Sequence, residues 1–172
     1  GGPAGGPKNF ARALAAFELA WVDGGAAVCS VALGFALAPI VYRGTPSQKQ
    51  EYLRRCASRA NGPAQGIAHG AFCLTEPLPY AGVDTGELSG TVRVVEWKEG
   101  QEPILLAEKR GRLIGNMDFA NFVIATVASD DPRLKGTCML ILEEGDEGTF
   151  DRGSVVSKLG HQLSSTRDPV FR

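Results

Sequence analysis

The chain has 172 residues, room for one ordinary domain or for one domain with a smaller attached piece. An apolar share of 44% fits a soluble globular protein and argues against disorder. The formal net charge of −1, from 18 basic and 19 acidic residues, speaks against nucleic acid or an acidic membrane as the main partner.

GGPAGGP opens the chain, and such a stretch cannot fold alone. Phe10, Leu14, Phe17 and Trp21 then fall on one helical face, with Asn9 as N-cap and Asp23-Gly24-Gly25 as the stop. A second apolar helix is expected from about Ala26 to Val41. It reads as too short, and too rich in Ala and Gly, for a membrane span, and the N-terminus lacks the order of a signal peptide. The third helix has the clearest start: Thr45 caps, Pro46 takes the first helical position, and Gln48 completes a capping box. Lys49 to Arg55 follow, with Tyr52 and Leu53 as core contacts.

ANGPAQG, at 60–66, breaks this pattern, and the period changes to alternating or short apolar runs. Strands are expected at Ile67–Thr75, Gly90–Trp97, Pro103–Leu106, Arg112–Ile114, Phe119–Ala128, Thr137–Glu143, Val155–Lys158 and Thr166–Phe171. Short strands with no helices between them read as an antiparallel barrel or sandwich, so the fold class is α+β. The expected division is a helical part, 1–64, and a β domain, 65–172. The last residues, DPVFR, look like a strand, which reads as a fragment ending.

The residues themselves point to little chemistry. No P-loop, nucleophile elbow or GxGxxG fingerprint occurs. His69 and His161 each stand alone and read as structural or surface residues. Cys29, Cys56, Cys73 and Cys138 form no CxxC pair, which reads as reduced thiols of an intracellular protein, and no metal site is expected. Asp130-Asp131 and the group Glu143, Glu144, Asp146 and Glu147 read as solvated turns. CLTEPLPYAGVD, at 73–84, differs. A strand ending in Thr75-Glu76-Pro77 exposes a hydroxyl and backbone N–H groups that could bond a flat polar heterocycle. Pro77 fixes the exit of the chain and Gly82 allows close approach to a ligand. The alternative reading is a tight turn between two strands.

Four segments carry a resemblance. GTPSQKQEYLRRCAS is similar to a G-T-x-x-Q-K-x-x-Y-L-P-x-L-A-S pattern, and AFCLTEPLPYAGVD to A-x-A-L-T-E-P-x-A-G-S-D. RLIGNMDFANFVIATVAS is similar to K-x-W-I-T-N-G-x-x-A-D-x-x-x-V-x-A-R-T, and KLGHQLSSTRDPVF to K-L-G-x-R-x-S-x-T-x-x-x-V-F. Together, in this order, they resemble the acyl-CoA dehydrogenase family. The resemblance implies the end of an N-terminal helical domain and most of a middle β domain, without the C-terminal helices. It implies FAD as cofactor, α,β-desaturation of an acyl-CoA thioester, and an electron-transfer flavoprotein as acceptor. Self-association as a homo- or hetero-oligomer, and a cytoplasmic or mitochondrial-matrix location, go with it. The family's catalytic base lies in its C-terminal domain, so no catalytic residue is named.

Carried over by position, Thr75 matches the residue that bonds the flavin's pyrimidine edge, and Phe72 and Leu74 match its neighbours along the ring. Leu113, Ile114 and Gly115 match W-I-T, losing the tryptophan and the hydroxyl. Gly82 and Val83 fall on the substrate loop, where Val83 replaces a serine and about two residues near Pro79-Tyr80 are extra. Lys135 lies near a position that touches CoA. Such departures leave two alternatives open: a flavin-free subunit that pairs with an active homologue, or a flavin oxidase or monooxygenase on the same fold.

Overall fold

The computed structural model describes residues 8–57, 66–79, 87–134 and 136–172. Among them, three helices precede a curled mixed sheet: α1 (Lys8–Val22), α2 (Gly24–Arg43) and α3 (Pro46–Arg55). α1 already includes Asn9, so that residue is not the cap. Asp23 separates α1 from α2 and serves the second helix, its carboxylate accepting from the Ala26 N–H at 2.8 Å. The expected stop of one helix is therefore the start of the next. The capping box of α3 is present in atoms. The Gln48 N–H donates to Thr45 Oγ1 at 3.3 Å, and the Thr45 N–H to Gln48 Oε1 at 2.9 Å.

α2 corrects the expectation of a short second helix. It runs 20 residues and, with a mean hydropathy of 2.0, is long and apolar enough to cross a membrane by length and composition. Gly25, Ala27, Ala36 and Ile40 are buried against the rest of the fold, while Val31 and Phe35 stay exposed. The apolar face of α1 is open too: Phe10, Leu14, Phe17 and Trp21 are all exposed.

The strands are β1 (Gly70–Cys73), β2 (Thr91–Glu96), β3 (Ile104–Arg110), β4 (Ile114–Gly115), β5 (Phe122–Ser129), β6 (Gly136–Glu143), β7 (Phe150–Asp151), β8 (Thr166–Arg167) and β9 (Val170–Phe171). The main sheet runs β1-β5-β2-β3-β9-β7, with β6 on the other edge of β5; β4 and β8 pair separately. The α+β class holds, but the sheet is mixed, since β5 pairs parallel with both β1 and β2. Among the described residues, β2, β3 and β4 lie between β1 and β5 and no helix does, so patterning carried no sign of a parallel pair. The expected strand at Val155–Lys158 reduces to one bridge, Val155 with Arg167, and β7 was not foreseen. The change from helix to strand falls between Arg55 and Gly70; the boundary at residue 64 lies outside the described residues.

β5 organises the core. Phe122 to Val127 are buried throughout, as expected of a strand covered on both faces. Its alternation divides the apolar residues. Phe122 and Ile124 join Ala36, Ile40 and Tyr52 of the helices, while Val123 and Ala125 join Ala71, Cys73, Ile114 and Phe171. Helices and sheet thus share one cluster. Gly70 permits their close approach, since a Cβ there would sit 2.5 Å from Phe122 Cζ and 2.8 Å from Ala36 Cβ. β6 takes one edge of β5 along its whole length. On the other edge β1 pairs with Phe122–Ala125 and Thr91 of β2 with Ala128, so β1 and β2 lie end to end. The chain leaving β1 at Leu74 turns out of the sheet beside this gap.

Candidate functional site

The exit of β1 and the approach to β4 meet at one exposed edge. The Arg112 N–H donates to the Thr75 carbonyl at 2.9 Å, which places Leu113 beside Thr75. Thr75 is exposed, and among the described residues its hydroxyl and N–H have no partner. Leu113 is 53% exposed and has φ 58°, a left-handed conformation that costs a leucine roughly 1–2 kcal/mol. Strain of this kind persists only where surroundings impose it. Here the Asp168 carboxylate accepts the Leu113 N–H at 2.7 Å, and the neighbouring Gly111 N–H donates to the Pro169 carbonyl at 2.8 Å. β4 continues the clamp through Ile114 with Arg167 and Gly115 with Thr166.

The other carried-over residues divide by direction. Ile114 is buried in the cluster of Ala71, Cys73 and Val123, so it offers only backbone to the outside. Phe72 faces the helices, with its ring 6.4 Å from that of Phe35. Leu74 is half-buried and its carbonyl points inward. Gly115 has space beside it: a Cβ there would meet only Ala32 Cβ, at an ordinary 3.7 Å. Gly82, Val83 and Lys135 lie outside the described residues, as does Tyr80. Among the described residues no group of His, Cys, Asp and Glu is placed to hold a metal.

Three residues behind this edge were missed from sequence. Asn116, at φ 65° and fully buried, donates from Nδ2 to the Cys29 carbonyl at 2.9 Å, tying α2 to the end of β4. Glu76 and Lys109 form a buried ion pair with Oε1 and Nζ 2.5 Å apart. Burial alone would raise the Glu76 carboxyl, but the Lys109 ammonium and the Ser89 and Gly90 N–H groups together hold it below the usual carboxylate range. A signal existed in β3: Leu105, Ala107 and Lys109 share the inward alternation, and an inward lysine requires a buried acceptor.

The remaining candidates are structural. The His69 N–H donates to Asn121 Oδ1 at 2.8 Å and its ring meets Phe119 edge-on. His161 is exposed at φ 53°, with its ring against Gly24. The acidic turn is not merely solvated. Glu143 bonds Arg55 and Tyr52, Glu144 pairs with Arg152, and Asp146 accepts the Glu143 N–H. The four cysteines are free thiols.

Exposed N–H and hydroxyl donors at Thr75, beside the projecting Leu113, can receive a flat ring with acceptors along one edge. The fold that presents them is a helical lobe sharing its core with a curled mixed sheet. A sequence model of the acyl-CoA dehydrogenase N-terminal domain matches residues 1–60. A chain in a structure of the electron transferring flavoprotein of Acidaminococcus fermentans is 32% identical over 92% of this chain, with TM-score 0.70. Butyryl-CoA dehydrogenase from Megasphaera elsdenii is 28% identical over 92%, with TM-score 0.69. Acyl-CoA dehydrogenase complexed with FAD from Bacillus anthracis is 28% identical over 86%, with TM-score 0.63. The chain spans 38% of the first two and 23% of the third. No curated protein matches the sequence. The first 60 residues thus match the acyl-CoA dehydrogenase N-terminal domain, and the chain as a whole is similar in sequence and fold to part of the acyl-CoA dehydrogenases.

Proposed function

We propose that this chain forms the flavin-facing wall of an FAD-dependent oxidoreductase that desaturates an acyl-CoA thioester between its α and β carbons. The observation carrying this is the meeting of Thr75 with Leu113–Gly115 through the Arg112 N–H. Two segments distant in sequence converge on one exposed edge with donors free. When bound, FAD supplies the hydride acceptor. Thr75 offers its hydroxyl and N–H to the pyrimidine edge, Leu113 covers the ring, and Ile114 and Gly115 contribute backbone. Asp168 and Arg112 hold these segments in register from behind. Gly82, Val83 and Lys135 are proposed for the acyl-CoA arm. An electron-transfer flavoprotein is the proposed acceptor, in a homo- or hetero-oligomer of the cytoplasm or the mitochondrial matrix. Titration of the chain with FAD, followed by flavin fluorescence, tests the first step. Absence of saturable binding sinks it.

A second reading is motivated by Leu113 and Gly115, which lack the ring and the hydroxyl of the W-I-T pattern. The chain would then be a flavin-free subunit pairing with an active homologue. Copurification of a flavin-bearing partner, with no flavin contact from this chain, favours that reading. An oxidase or monooxygenase on the same fold is distinguished by oxygen consumption at catalytic rates.

A further inference from the structure

We infer that the buried Glu76–Lys109 pair is a positioning device for the ligand edge: Lys109 fixes and polarises the Leu74–Thr75 peptide, so that its N–H is presented outward as a strengthened donor. The inference rests on the flavin reading only for the identity of the acceptor.

The contacts converge on one ammonium. Lys109 Nζ lies 2.5 Å from Glu76 Oε1, 3.2 Å from the Leu74 carbonyl and 3.4 Å from Thr126 Oγ1. The carboxylate is filled from its other side, by the Ser89 N–H on Oε2 at 2.6 Å and the Gly90 N–H on Oε1 at 2.9 Å. Both side chains are 0% exposed. Gly90 makes room for the lysine stem, since a Cβ there would sit 2.6 Å from Lys109 Cδ. The assembly fills the gap where β1 and β2 meet end to end along β5.

Stability alone is a poor reason for it. Removing two charges from water costs several kcal/mol per ion, and an apolar pair of similar volume often serves a fold as well. What the pair does specifically is hold one carbonyl. The Leu74–Thr75 peptide is trans and planar, so its C=O and N–H point in opposite directions. With the carbonyl turned inward onto Lys109, the Thr75 N–H points outward, where the residue is exposed and that N–H has no partner among the described residues. A cation on the carbonyl polarises the same amide and strengthens its N–H as a donor. Lys109 thereby acts at the surface through one peptide group, without touching the ligand.

The test uses the full chain, wild type and E76Q/K109M, with the Thr75 amide followed by NMR and FAD titrated by fluorescence. Without FAD, the Thr75 amide proton of the double variant is expected to move upfield. Its FAD affinity is expected to fall about tenfold. A folded double variant with the Thr75 resonance unmoved and FAD affinity within about twofold of wild type overturns the inference. T126V trims one Lys109 partner and leaves the ion pair. It is expected to shift the same resonance less and to weaken FAD about two- to threefold. Should the double variant fail to fold, T126V with both readouts unmoved overturns the inference. If wild type binds no FAD, the flavin reading fails, and the Thr75 resonance alone decides the positioning role.

Discussion

Arg55 in the last turn of α3 and Glu143 at the end of β6 form an ion pair, with Nη1 and Oε1 2.5 Å apart. The Tyr52 hydroxyl donates to the same oxygen at 2.9 Å. Together they clasp the helices to the far edge of the sheet. Burial first, and then the Glu143 carboxylate, push the Tyr52 hydroxyl well above its ordinary value. A raised folded-state value means that this contribution is fully present below about pH 10 and is lost as pH rises through the folded value. Y52F should cost about 0.5–1.5 kcal/mol at neutral pH and lose this alkaline sensitivity. Urea unfolding at pH 7 and pH 11 measures it. A variant that keeps the wild-type alkaline loss excludes Tyr52 as its source.

Glu76 has the opposite sign. Its carboxyl is held below the usual range, so the stability it contributes is present above about pH 4.3 and is lost as pH falls through the depressed folded value. E76Q alone should cost about 3–5 kcal/mol, because it strands the Lys109 ammonium in the interior. E76Q/K109M removes both charges and should cost less. Acid unfolding compared for wild type and the double variant reads the difference, which should narrow as pH falls. An unchanged gap from pH 7 to pH 3 would mean the carboxylate is not the titrating group.

These two clusters also mark the limit of what sequence patterning reveals. Local rules did well where the signal is local. The Thr45–Gln48 box, with Pro46 between, specifies its own geometry and appears as drawn. Asp23 shows the same rule misapplied by one element, because a residue between two helices can end one and cap the next. Thr75 and Glu76 are adjacent and both polar, yet one is exposed and the other buried. Only Lys109, distant in sequence on β3, decides which. The parallel pairing of β5 was hidden for a related reason, since alternation reports which face a residue takes and not the direction of its neighbour. Gly82, Val83 and Lys135 fall outside the described residues, so the substrate half of the site rests on resemblance.

Cys73 tests the interior of this edge chemically. Burial pushes its thiol up to about 12, with the Lys109 ammonium pulling it down and the Glu76 carboxylate adding to the rise. Since the thiolate is the reactive form, Cys73 should resist iodoacetamide at pH 8 in the native chain and label fully in urea. Peptide mass spectrometry resolves it from Cys29, Cys56 and Cys138, which are only partly buried. Native labelling of Cys73 at the rate of a free thiol would mean that the core behind Thr75 opens readily.

Gly115 permits the most direct test of the ligand edge, because it is where the chain departs from W-I-T yet leaves space. A Cβ there would meet only Ala32 Cβ, at 3.7 Å, and β4 is a strand, which accepts a β-branched residue. G115T should therefore fold with stability within about 0.5 kcal/mol of wild type. If a flavin lies against Thr75 and Leu113, the restored hydroxyl adds a hydrogen bond worth about 1 kcal/mol, a gain of roughly fivefold in FAD affinity. Fluorescence titration of both proteins measures it. A gain with G115T, together with a loss in T75A, puts both residues on one ligand. If G115T leaves FAD affinity unchanged while T75A lowers it, Gly115 lies off the flavin, and the substitution loses its force as a sign of a degenerate site.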